Sequence, residues 1–212
     1  MRKVAPEDEI PVWILEPDAI AAKLDYFNNR RIEKPDTLEA QRELIDYVQG
    51  LNGRAFDSRH WVAKTHELAD RFMAAYADYL ICRKGCAHCC RLPVGVPFLE
   101  AEYIAARSGR KLNKKAKENL HIEPTPQNST PCPFLTPDGV TCSIYAFRPL
   151  ACRMFATFDD HRHCEDPTKE HQIVTTEVSN AFAYSTAMMM SAAKQVNGSR
   201  LAIFAELRQW FR

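Results

Sequence analysis

The chain has 212 residues, 46% hydrophobic and 26% charged, with a net charge of +1. That size and balance predict a packed core, and they exclude bulk disorder and any global electrostatic signature of nucleic-acid or membrane binding. Glycine is scarce at seven residues, with no GxG spacing and no Gly-Lys-Ser or Gly-Lys-Thr, so the loops that wrap phosphates in dinucleotide-binding and P-loop enzymes are missing.

The opening stretch, MRKVAPEDEIPVWILEP, places acids and prolines where a secretory signal needs an apolar run. No uninterrupted apolar window of about 18 residues occurs, so no transmembrane helix is expected. The expected location is cytoplasmic. Clustered cysteines in a reducing compartment serve metal or redox chemistry more often than structural disulfides.

The first predicted helix opens at Asp36-Thr-Leu-Glu39, a capping-box pattern. It carries Leu38, Ile45 and Val48 on one side and ends by Gly50 or Gly53. The second covers 59–81, with Trp61, Leu68, Phe72, Tyr76 and Leu80 on one face and Lys64, Glu67, Arg71 and Asp78 on the other. It is expected to run directly into Cys82. Beyond the cysteine region, Asp166-Pro167 reads as an N-cap with proline at the first helical position. The helix it starts runs some 28 residues, with Val174, Val178, Phe182, Met189 and Val196 inward and Gly198 after its end. Met188-Met189-Met190 falls inside that pattern and reads as core packing. A short helix over 200–211 closes the chain. The fold class is therefore mainly α: a helical scaffold around an irregular cysteine-rich module, with a short hairpin near 139–145. The expected layout is one domain, with helical flanks 1–81 and 165–212 and a module over 82–164.

All eight cysteines and eight of the thirteen prolines lie in that module. Its 12 basic and 7 acidic residues contrast with 11 and 15 in residues 1–81. Thiolates on a metal would offset this excess. The cysteines are Cys82, Cys86, Cys89 and Cys90, then Cys132, Cys142, Cys152 and Cys164. Cys86-Ala-His-Cys89 has the spacing of a metal knuckle. The adjacent Cys89 and Cys90 point to opposite faces in an extended chain, so they are expected not to share one tetrahedral ion. Eight sulfurs suffice for two four-ligand sites or for one site with spare thiols.

Three segments resemble a known family: GCAHCCRLPVGVPFLEAEYIA at 85–105, CPFL at 132–135 and GVTCSIYAFRPLACRMF at 139–155. They are similar to the YkgJ-type cysteine-cluster family, the CxxCxxCC zinc- or iron-chelating domain. The resemblance implies a bound zinc ion or iron–sulfur cluster, with Cys86, Cys89, Cys90, Cys132, Cys142 and Cys152 as its ligands, and it implies no defined reaction. Cys82 departs from the motif, with three residues before Cys86, and Cys164 lies outside the signature.

Arg91, Arg148 and Arg153 flank the cysteines and are candidates to donate N–H groups and charge to cofactor-bound sulfur. Pro133 and Pro149 stiffen the ligand loops. Tyr145 and Phe147 either shield the site or pack the core. His88 and His163 are further candidate ligands.

Three functions compete. One is an iron–sulfur protein that moves single electrons or senses redox state. The second is a structural zinc module that binds a partner, for which the basic stretch RSGRKLNKKAK at 107–117 is the candidate surface. That stretch lacks aromatic or polar base readers, so nucleic acid is not the expected partner. The third is a radical S-adenosylmethionine enzyme, whose cluster loop shares the Cys82-x3-Cys86-x2-Cys89 spacing. The helix before Cys82 and the lack of alternating β/α elements oppose it. A Cys-His hydrolase would leave most cysteines unexplained.

Overall fold

A computed structural model describes residues 58–74, 80–82, 85–118, 130–157 and 203–211, the backbone of 193–196 and 199–202, and residues 39, 42, 43, 46, 47, 77 and 164. The described part is mainly helical with short antiparallel strand pairs.

Helix α1 (Ser58–Ala74) follows the apolar stripe of its sequence. Trp61, Val62, Leu68, Ala69, Phe72 and Met73 are buried, recurring at the three- and four-residue spacing that puts side chains on one face. Glu67 and Arg71 stay exposed. The helix is described as far as Ala74, and Leu80–Cys82 have no regular structure, so it does not run directly into the first cysteine. Ile81 N–H instead donates to Thr157 O at 3.1 Å, which fastens the chain before Cys82 to the segment after Cys152.

Strand β1 (Gly95–Pro97) leads straight into helix α2 (Phe98–Ser108). Helix α3 (Leu150–Met154) is one turn and a half long. Both helices pack on α1. A buried carboxylate joins all three. Glu100 Oε1 on α2 lies 2.6 Å from His66 Nε2 on α1 and accepts from Leu150 N–H, at the start of α3, at 2.6 Å. His66 and Glu100 are 4% and 1% exposed, so this oxygen satisfies groups that water cannot reach. Arg153 is the second clamp on α3. It pairs with Asp70 of α1 and donates to Arg148 O at 3.0 Å and Ala146 O at 2.6 Å. A helix this short does not hold itself together, and these buried polar ties replace the propagation energy it lacks.

The C-terminal end departs from the expected helices. Strands β2 (Ala193–Val196) and β3 (Ser199–Ala202) form an antiparallel hairpin with Val196 opposite Ser199. Val196 is therefore in a strand and not in the expected helix, while Asn197 and Gly198 lie outside the described residues. The remainder of the predicted 28-residue helix, the methionine triple included, lies outside the described residues, as do most residues of the helix expected to open at Asp36. Glu39, Arg42, Glu43, Asp46 and Tyr47 of that first helix are helical.

Within 200–211 only Leu207–Trp210 (α4) is helical. Strand β4 (Phe204–Glu206) pairs antiparallel with β1, with Gly95 opposite Glu206 and Val96 opposite Ala205. Glu206 caps α4 by accepting from Arg208 N–H, and Gln209 Oε1 accepts from Glu206 N–H in return. Trp210 is fully buried, and its Nε1–H donates to Val96 O at 2.9 Å. Phe134 and Phe211 meet edge to face at 4.8 Å. The C-terminal segment thus closes the core beneath the cysteine loops.

Replacing Glu100 with alanine leaves a buried imidazole and a buried helix-start N–H without their acceptor. The expected loss is about 3 kcal/mol of unfolding free energy in denaturant titrations, with a smaller loss for Glu100→Gln, which keeps an acceptor oxygen. Wild-type stability in both variants would show that the tie carries no weight.

Candidate metal centre

The GCAHCC turn begins at Gly85, whose φ of 95° is a backbone state that side-chain-bearing residues rarely adopt. No atom would obstruct a β-carbon there, so the glycine is required by backbone geometry rather than by space. His88–Arg91 then form a single 3₁₀ turn, with Cys90 N–H donating to Ala87 O at 3.0 Å and Leu92 N–H to Cys89 O at 3.0 Å. The extended-chain premise for Cys89 and Cys90 therefore does not hold. In the 3₁₀ turn both residues line one cavity.

The opposite wall comes from the proline-rich segment. Cys132 N–H donates to Cys90 O at 2.8 Å and stitches the two cysteine loops together. Leu135 and Cys142 form an isolated antiparallel bridge, and Ser143 N–H donates to Phe134 O at 2.8 Å. The turn between them is built on Asp138. Its Oδ1 accepts from Thr136 Oγ1 at 2.5 Å and from the N–H groups of Val140 and Thr141 at 3.0 and 3.2 Å. These bonds, led by that from Thr136, hold the Asp138 carboxyl below the usual range. This is the short hairpin expected near 139–145, displaced a few residues toward the N-terminus. Helix α3 adds Cys152.

Cys86, Cys89, Cys90, Cys132, Cys142 and Cys152 line one cavity of about 190 Å³. Among the described residues no imidazole or carboxylate lines it; apolar side chains, Thr141, Tyr145 and two arginines, Arg148 and Arg208, complete the wall. None of the eight cysteines is in a disulfide. Cys82 and Cys164 are outside the lining. Cys82 is exposed as a residue, but its Sγ turns in to accept from Thr157 N–H at 3.4 Å, and burial of the sulfur pushes the thiol up to about 11. The three-cysteine loop expected of a radical S-adenosylmethionine enzyme is therefore not gathered on the cavity. His88 is half-buried in the 3₁₀ turn and does not line the cavity either. His161 and His163 lie outside the described residues.

The three candidate arginines differ in place. Arg148 lines the cavity, stacks over Tyr145 with 4.1 Å to the ring centre, and keeps a buried Nε without an acceptor. Arg153 is buried behind it in the α3 clamp. Arg91 is exposed at the end of the 3₁₀ turn. Within the basic stretch, Arg107 lies over the rings of Tyr103 and Phe147, and Arg110 lies over Phe134 while donating to Pro133 O at 2.6 Å. Those two cations belong to the fold, whereas Lys111, Lys114 and Lys115 are exposed.

The thiols are not equivalent. Cys90 is hydrogen-bonded to both Cys89 and Cys132. As their shared donor it is pushed up, most of all by its bond to Cys132. The bond from Cys90 draws Cys89 down to about 7, aided by the charge of Arg148. It draws Cys132 to about 7 as well, aided by Arg208. A single S–H serves one acceptor at a time, so the trio carries one readily formed thiolate that either neighbour can hold. Burial raises Cys142, and raises Cys152 well above its ordinary value.

Among the described residues, no three His, Cys, Asp or Glu side chains stand close enough to hold a metal ion as placed. The donor set nevertheless fits a thiophilic metal. Six cysteines line one cavity, three of them linked through Cys90, with two arginines beside them to offset thiolate charge. Loading such a site requires the thiols to deprotonate and draw inward, so it releases protons.

Sequence logic missed Arg208, Glu206 and Glu100. The capping box at Glu206 was the one local signal available.

Residues 81–179 match the family model CxxCxxCC, described as "Putative zinc- or iron-chelating domain". No curated protein and no solved structure matches the chain. No helix among the described residues is long and apolar enough to cross a membrane.

In the metal-free chain, iodoacetamide labelling of Cys89 and Cys132 is expected to rise as pH passes about 7, because a lowered pKa puts the reactive thiolate at neutral pH. Cys142 and Cys152 should label only in more alkaline solution. Peptide mass mapping at stepped pH reads this order, and first labelling of Cys152 at pH 7 would contradict it.

Proposed function

With residues 81–179 matching the CxxCxxCC family model, we propose that this chain holds an iron–sulfur cluster on its six-cysteine cavity and carries single electrons or senses redox state. The observation that carries the reading is the lining itself: six sulfurs and no imidazole or carboxylate among the described residues. Zinc modules commonly mix histidine with cysteine, whereas iron–sulfur clusters are held by thiolates. The cavity also exceeds the needs of one ion. Its 190 Å³ is several times the roughly 30 Å³ that one water occupies.

The ligands in this reading are drawn from Cys86, Cys89, Cys90, Cys132, Cys142 and Cys152. When bound, such a cluster supplies a one-electron couple whose potential depends on charge, hydrogen bonding to sulfur and exposure. The residues of this chain set those conditions. Arg148 holds positive charge and an unpartnered Nε–H at the wall. Its position over Tyr145 fixes the guanidinium plane. Ile144, Leu207 and Phe155 keep water from the sulfurs, and exposed Val140 and Tyr145 mark the open side where an electron partner would approach. Cys82 and Cys164, off the lining, are not needed as ligands. Cytoplasmic location fits the free thiols.

The competing zinc reading differs in measurable ways. Anaerobically purified protein is expected to contain iron and acid-labile sulfide in equal amounts and to absorb in the visible. Colourless protein with one or two zinc ions per chain and no sulfide would replace the redox reading with a structural zinc module.

A further inference from the structure

Arg208 lies beyond residues 81–179, in the one-turn helix α4, yet its side chain reaches the centre of the site. We infer that Arg208 positions Cys90 and Cys132 for the metal, so that the C-terminal segment completes the site from outside the matched domain. This rests on the reading of the cavity as a metal centre.

The contacts are specific. Arg208 Nη2 donates to Cys90 O at 2.9 Å, Nη1 to Leu92 O at 3.1 Å and Nε to Thr130 O at 2.8 Å. Those carbonyls belong to the two separate cysteine loops, two on the 89–94 side and one just before Cys132. The same Cys90 carbonyl accepts the Cys132 N–H at 2.8 Å, so one oxygen is the meeting point of both loops and the guanidinium. Glu206, 1% exposed, pairs with Arg208 Nη1 and accepts Val94 N–H at 3.2 Å, which fixes the guanidinium plane. The backbone beneath is anchored as well. Leu207 N–H donates to Val94 O at 2.8 Å, and β4 pairs with β1.

A planar five-donor fork spreads its donors over three nitrogens, so one side chain satisfies three separated carbonyls while keeping its charge beside a sulfur. Lysine supplies a point charge from a flexible stem. Arg208 also lines the cavity directly. It therefore does two things for the metal: it holds the spacing of Cys90 and Cys132, and it lowers the local cost of gathering thiolates there.

The test uses full-length chain freed of metal under reducing conditions. Zinc affinity is read by competition with a chromophoric chelator. Cadmium titration reads the sulfur-to-cadmium charge-transfer band in the ultraviolet. Arg208→Gln is expected to weaken zinc binding about 10–100-fold, as loss of a residue that supports metal ligands does elsewhere, and to lower the cadmium band per bound ion. Arg208→Lys, which keeps charge without the fork, is expected to lose less. Far-UV circular dichroism establishes that each variant is folded; should Arg208→Gln not fold, Arg208→Lys decides. A merely structural arginine would lower the unfolding temperature yet leave the folded protein's affinity and cadmium band unchanged. Wild-type affinity and band in the folded variants would overturn the inference alone. A wild-type chain that takes up neither zinc nor cadmium would overturn the metal reading and this inference with it.

Discussion

One hydrogen bond sets the geometry of the whole site: Cys132 N–H to Cys90 O. The two residues are far apart in sequence, and each contributes a sulfur to the same cavity. Without that bond the 3₁₀ turn and the proline-rich loop would be two independent segments, and gathering their thiols would cost the entropy of closing a long loop each time a ligand bound. With it, the cost is met once, on folding. The surrounding structure protects the bond. The β1–β4 pairing sets the level of the first loop, the Asp138 turn sets the second, and Glu100 with Arg153 brings α3 and its Cys152 up to both.

Electrostatics impose the opposite demand. Thiols buried together resist ionisation, and the elevated Cys142 and Cys152 express that resistance, whereas Cys90 is raised first by donating to Cys132 and Cys89. Cys89 and Cys132 are the relief, each steadied by Cys90 and by a nearby guanidinium. The site can start to charge at neutral pH with one thiolate held by either of these two sulfurs, and the rest follow only as a cation neutralises them. Metal uptake, proton release and tightening of the loops are then a single linked process.

How much of this could be read from sequence follows from range. The stripe of α1, from Trp61 to Phe72, was legible because helical periodicity is local. The mainly helical class and the likeness to the matched family model were legible too, since the cysteine motifs are contiguous words in the chain. The last twenty residues were not. The stretch 193–196 suits the end of a helix or a strand, and the pairing with 199–202 decides which. Residues 204–206 became a strand because residues 95–97, more than a hundred positions earlier, offered an edge. In the site, the six converging cysteines could be named from their motifs. Their adjacency could not, because it depends on the 3₁₀ turn at His88–Arg91. Arg148 stood out beside a cysteine motif; Arg208 did not, because its partners are backbone carbonyls of distant loops.

The central claim is that the chain holds its metal by sulfur alone, on the cavity shared by the 85–90 turn, the 132–142 loop and Cys152. X-ray absorption at the metal edge of anaerobically purified protein tests this most directly. The account predicts a first shell of sulfur only, at roughly 2.3 Å whether the ion is iron or zinc, with metal–metal scattering beyond it where iron is present. A shell containing imidazole nitrogen or carboxylate oxygen would contradict it.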